Sequence, residues 1–134
     1  MNDITSKNTQ ISINPITLEV LCEGLISIVK EMRANIIRAA YSSAIYEFDD
    51  FSCALFGPDG ELVAQSWDHP GHVLPLPWGV NCVLEEFDND LHPGDAFLLN
   101  DPYMGGTHLN DVTLVIDLKN SSKIKDLIKK ININ

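Results

Sequence analysis

Hydrophobic and polar positions along the chain follow two rhythms. From Leu18 onward the apolar side chains Leu18, Leu21, Leu25, Ile28, Val29, Met32 and Ile36 recur at steps of three and four, the spacing of an amphipathic helix. Asn14-Pro15 sets a capping side chain ahead of a proline suited to a first helical turn, so the helix is predicted to begin there. It can continue through Ala39 and Ala40 towards Tyr41, about 28 residues or ~42 Å at the rise of an α-helix. So long a helix on a chain of 134 residues either wraps its own domain core or packs against a larger body, such as another subunit.

Beyond Ser42-Ser43 the pattern turns to strands. Phe51–Phe56 and Glu61–Gln65 are short β-like runs joined by Gly57-Pro58-Asp59-Gly60, where proline presets the turn and glycine closes it, which predicts a β-hairpin. Ser66–Pro77 reads as an irregular proline-rich loop carrying His69 and His72. Trp78–Phe87 reads as a second helix, with Val80, Val83, Leu84 and Phe87 on one side and Glu85-Glu86 on the other. Ala96–Leu99 is expected to be a buried strand, and Val112–Ile116 the strand that follows it. The fold class is α+β: a long N-terminal helix, a β-hairpin, a second helix and further strands.

Composition narrows this picture. With 134 residues, 45% of them hydrophobic and 21% charged, the chain suits one globular domain. Residues 1–13 form a polar leader without the apolar core of a signal peptide, and read as a mobile arm. No apolar run approaches the ~18 residues of a membrane span, so no membrane is expected as a partner. Cys22, Cys53 and Cys82 are odd in number and far apart, which fits neither a disulfide framework nor a zinc ribbon and suits a cytoplasmic setting.

The net charge of −10 is unevenly spread. Residues 39–118 contain no lysine or arginine, against fourteen acids: Glu47, Asp49, Asp50, Asp59, Glu61, Asp68, Glu85, Glu86, Asp88, Asp90, Asp95, Asp101, Asp111 and Asp117. No nucleic acid is expected to bind, because phosphate neutralisation needs clustered cations. The block is either a solvated acidic face or a surface offset by a bound cation or a basic partner.

The candidate chemistry lies between the last two strands. Asn100, Asp101, Tyr103, Thr107, His108, Asn110 and Asp111 surround Gly105-Gly106, a concentration of side-chain donors and acceptors beyond what a turn requires. His108 and Asp111, at His-x-x-Asp spacing, offer an imidazole and a carboxylate, a donor set suited to zinc, manganese or ferrous iron. A catalytic site of the zinc type needs three protein ligands and an open position. The third would come from Asp101, from His69 or His72, or from beyond the chain. The competing interpretation is a structural loop in which Asp111 caps a turn and His108 donates to a carbonyl. No Gly-x-x-x-x-Gly-Lys-Ser/Thr phosphate loop occurs, so ATP turnover by this chain alone is not expected.

From Asn14 to about Leu118 the sequence resembles the N-terminal region of the hydantoinase B/oxoprolinase family, whose relatives include acetone and acetophenone carboxylases. The resemblance is carried by Pro15-x-Thr-Leu-Glu-Val20, Asp50-Phe-Ser-Cys-Ala-Leu-Phe56, Asp59-Gly-x-Leu-Val-Ala-Gln65, His69-Pro-x-His72 and Pro93-Gly-Asp95. Above all it rests on Asn100-Asp-Pro-Tyr-x-Gly-Gly-Thr-His-Leu-x-Asp-Val-Thr113. It implies a partial domain of a larger fold, and ATP-dependent chemistry: hydrolysis of cyclic amides such as 5-oxoproline or hydantoins, or carboxylation of ketones. In that scheme a hydantoinase A-type partner subunit phosphorylates the substrate with ATP and the B-type part completes the reaction. ATP would then reach the reaction only through the partner. The resemblance further implies that His108 and Asp111 match a metal-holding His and Asp of the carboxylase relatives, which use a further downstream His. It assigns neither nucleophile nor general base.

Residues 119–134, Lys-Asn-Ser-Ser-Lys-Ile-Lys-Asp-Leu-Ile-Lys-Lys-Ile-Asn-Ile-Asn, depart from the family and hold five of the nine cations. They read either as a short amphipathic helix or as the product of a truncated or frameshifted reading frame. Two functional classes follow: a subunit active only with partner chains, or a catalytically inactive remnant acting as a metal- or partner-binding module.

Overall fold

The structure, a computed structural model, describes residues 14–67, 70–87 and 90–118. The arm at 1–13 and the tail at 119–134 lie outside the described residues. Helix α1 spans Pro15–Ala39, and the Asn14 side chain accepts a hydrogen bond from the Ile16 amide at 2.9 Å. The cap forms where Asn14-Pro15 predicts it. The helix stops at Ala39 because Ala40 turns extended, its amide reaching the Ile37 carbonyl. A four-residue helix, α2 (Ser43–Tyr46), follows.

Strands β1 (Ala54–Phe56) and β2 (Leu62–Gln65) pair antiparallel, with Leu55 opposite Ala64 and an irregularity between Leu55 and Phe56. In the connecting turn the Gly57 amide donates to the Glu61 carbonyl at 2.9 Å and Gly60 takes a φ of 77°. Val29 of α1, Cys53, Leu55 and Ala64 are buried together and form the core, flanked by Leu25, Ile26, Ile28, Met32, Phe51 and Leu118. The central part of α1 thus packs on the hairpin. Its N-terminal part does not: Ile16, Leu18 and Val20 are exposed.

The proline-rich stretch is more ordered than its composition suggests. It contains helix α3 (Pro70–Val73), and α4 begins at Leu76, ahead of the expected Trp78, and ends at Glu86. Prolines at 75 and 77 do not prevent this, because the first turn of a helix has amides that need no internal partner. Helix α4 buries Gly79, Val80 and Val83 and contacts the second sheet, where the Phe87 and Phe97 rings lie 4.6 Å apart.

That sheet pairs β3 (Ala96–Leu99) with β4 (Thr113–Ile116), antiparallel, with Leu98 opposite Leu114 and Ala96 opposite Ile116. The expectation of a buried β3 is corrected here. Ala96, Leu98, Leu114 and Ile116 share one face and lie open, at 71%, 54% and 46% exposure for Leu98, Leu114 and Ile116. The run Ala96-Phe-Leu-Leu99 is apolar throughout, so periodicity alone gives no sign that only one face is covered. Among the described residues no helix is long and apolar enough to cross a membrane.

Candidate functional site

The loop between β3 and β4 is pinned at its base, because Leu99 and Thr113 are the last paired residues of the two strands. Its own polar groups then shape it. The Asn100 side-chain amide donates to the Leu109 carbonyl at 2.9 Å, tying the outgoing arm to the returning one. Asp101 caps a 3₁₀ turn at Pro102–Met104: its carboxylate accepts from the Tyr103 amide at 2.9 Å. The Asp101 carbonyl accepts from the Met104 and Gly106 amides at 3.0 and 2.9 Å. Gly105 ends the turn in the left-handed region at φ 93°, where a side chain would be strained.

Beyond the glycines the candidate ligands come together. The Thr107 hydroxyl donates to Asp111 Oδ2. His108 Nε2 lies 4.0 Å from the same oxygen, and the Asp111 amide donates to the His108 carbonyl at 3.0 Å. The His108 side chain is 75% exposed and that of Asp111 is 36% exposed, so the pair faces solvent and is open to an incoming group. The donor types, a ring nitrogen and a carboxylate oxygen, fit a divalent ion of the zinc or manganese kind. The set is partial: among the described residues no three His, Cys, Asp or Glu side chains converge to hold a metal.

The other candidates sit elsewhere or are turned to the loop's own backbone. Asn100 and Asp101 make the bonds just described, and Tyr103 projects into solvent. His69 lies outside the described residues. His72, on α3, faces Asp50, with Nε2 3.5 Å from Oδ1. His92, the remaining histidine of the chain, belongs to the turn before β3: its amide donates to Asp95 Oδ2 at 2.8 Å, and its ring nitrogen lies 3.6 Å from the same oxygen.

Two features of the surroundings were not legible in the sequence. Arg33 of α1 meets Asp49 at 2.8 Å and lays its guanidinium 4.5 Å over the Phe51 ring, with Asp49 held at φ 55°. Arg33 stands in sequence shortly before the cation-free block, a cue to an acidic partner but not to which one. The second is Gly79. A Cβ there would sit 3.0 Å from Leu99 Cδ1 and 3.2 Å from the Gly105 carbonyl oxygen, so α4 and the loop meet backbone to backbone.

Comparison with known proteins bears on this loop directly. The family model described as Hydantoinase B/oxoprolinase matches residues 14–121, a span that contains it. The chain is 40% identical over 103 residues to the 5-oxoprolinase PfmaA of Pestalotiopsis fici, covering 77% of this chain and 8% of that protein. It is 37% identical over 119 residues to a 5-oxoprolinase of Dictyostelium discoideum, covering 89% of this chain and 9% of the relative. To a candidate B-type subunit of a D-/L-hydantoinase from a Pseudomonas species it is 34% identical over 108 residues, covering 78% and 18%. The chain therefore spans less than a fifth of the length of these relatives. No solved structure matches it significantly.

Proposed function

The chain belongs to the hydantoinase B/oxoprolinase family, and from that premise we propose that it contributes the leading part of a B-type unit that opens cyclic amides. The substrate class is 5-oxoproline or a hydantoin. An A-type partner supplies the ATP-dependent step, which this chain has no phosphate-binding loop to perform. The reading is supported by one observation above the others: the matched span includes the loop on which His108 and Asp111 stand side by side.

In this role the two side chains are part of the ligand set of a divalent ion, completed from outside the described residues. Such an ion would polarise an amide oxygen or position a nucleophile. The chain's own contributions are more specific. The Thr107 hydroxyl occupies one carboxylate oxygen of Asp111 and fixes the direction of the other. Asn100 and Asp101 hold the loop's shape through backbone bonds. The open apolar face of Leu98, Leu114 and Ile116 is of the kind that calls for a covering layer, which suits a segment working inside a larger assembly.

The test is reconstitution. The chain is combined with an A-type partner and with the remaining part of a B-type relative, and ATP-dependent opening of 5-oxoproline is followed. Turnover that requires the chain and is lost in His108→Ala and Asp111→Ala supports the reading. Reconstituted turnover that is indifferent to both substitutions contradicts it. A chain that assembles with the partners but yields no turnover supports the alternative of a non-catalytic binding module.

A further inference from the structure

Gly105 is a point at which the loop meets α4 directly. It is buried, and a Cβ built on it would run into the Cα and amide nitrogen of Gly79 and come within 2.9 Å of the Trp78 carbonyl carbon. The contact is reciprocal, since a Cβ on Gly79 would lie 3.2 Å from the Gly105 oxygen. Helix α4 is itself held from the other side: a Cβ on Gly60, in the β1–β2 turn, would meet the Asn81 side-chain oxygen and lie 3.1 Å from Leu84 Cδ1. We propose that Gly79 is a positioning residue: its bare Cα on α4 is the seat of Gly105, and through that seat it sets where the loop presents His108 and Asp111. The consequence for a bound ion rests on the function proposed above; the seat itself does not.

This role differs from ordinary helix packing. Gly79 is helical and lies outside the left-handed region, so alanine there is the better helix former and strengthens α4 locally. The added methyl has room only if the Gly105 backbone moves by a few tenths of an ångström, and the Asp101 carbonyl, bonded to the Met104 and Gly106 amides, moves with it. A gain in the helix accompanied by a loss in the loop is therefore the signature. Gly94 provides the control, because its φ of 95° matches the 93° of Gly105 while nothing lies within 4 Å of its Cβ.

The experiment is residue-resolved amide exchange on the full chain, with the His108 ring resonances read alongside. In Gly79→Ala the α4 amides keep or gain protection, the Gly106 and Asp111 amides lose it by on the order of tenfold, and the His108 ring signals shift. In Gly94→Ala the effect stays within the turn at 92–95. A folded Gly79→Ala with unchanged loop amides overturns the proposal, as does a Gly94→Ala that disturbs the loop equally. If Gly79→Ala does not fold, Gly105→Ala introduces the methyl from the loop side, and Gly94→Ala, at nearly the same positive φ but in open space, measures the backbone strain alone: a loss of protection in the loop larger than Gly94→Ala causes in its own turn upholds the seat, and a loss no larger overturns it. Manganese added to the wild type separates the two readings. Broadening of the His108 ring signals that weakens in Gly79→Ala supports both, whereas no broadening in the wild type removes metal binding by this chain on its own while the exchange data still decide the seat.

Discussion

Asp111 takes the Thr107 hydroxyl on one carboxylate oxygen, with His108 nearby, so what this side chain can do depends on a single neutral donor. Thr107→Val removes that donor while keeping the side-chain shape. A hydrogen bond to a charged group contributes about 1.5–3 kcal/mol when shielded from water, and the partial exposure of Asp111 reduces this to about 1 kcal/mol. Urea denaturation should show a loss of that size with an unchanged slope. Core positions behave differently. Val29 has no exposed surface, whereas Val20, on the same helix, is 65% exposed. Val29→Ala should cost about 2 kcal/mol through lost burial and the cavity left behind, and Val20→Ala less than about 0.5 kcal/mol, both measurable in the same denaturation series.

At the scale of elements, the sequence is most legible where local chemistry decides. Asn14 before Pro15 marks the start of α1 because a side-chain oxygen is needed for the exposed first amides, and the structure makes that bond to Ile16. Asn14→Ala should therefore cost about 1 kcal/mol, seen as faster amide exchange confined to the first turns of α1. Gly57-Pro58-Asp59-Gly60 is equally plain as a turn, since the needed positive φ falls on Gly60. Legibility fails where tertiary contact decides. Prolines at 75 and 77 look like breakers but sit at the N-cap and in the first turn of α4. The apolar run of β3 shows no sign of its open face. In the candidate site the residue types of His108 and Asp111 were readable. The roles of Asn100 and Asp101 as shapers of the loop, and the seat at Gly79, depend on backbone distances that no residue pattern encodes.

For the molecule as a whole, α1 and the first hairpin share one core, the turn of that hairpin meets α4 at Asn81 and Leu84, and the polar loop meets α4 at Gly79. Charge sets α1 apart from the rest, since residues 39–118 bring acids without lysine or arginine and, among the described residues, every lysine and arginine lies on α1. A chain built in this way is expected to show no ATP hydrolysis and no 5-oxoproline opening by itself; phosphate release above an enzyme-free control would refute that. It is expected to gain thermal stability when the open face of Leu98, Leu114 and Ile116 is covered, and Leu114→Asp should abolish that gain while leaving the isolated chain folded, as read by circular dichroism.

The most direct measurement is manganese titration by calorimetry, on the chain alone and on the chain assembled with the remaining part of a B-type relative, beside a His108→Ala, Asp111→Ala variant. The expected result is one ion bound tightly by the assembly, weaker binding by the isolated chain, and no binding to the assembled variant. Equal affinity in wild type and variant would contradict the metal site, since the ion would then be held without the two side chains on which it is built.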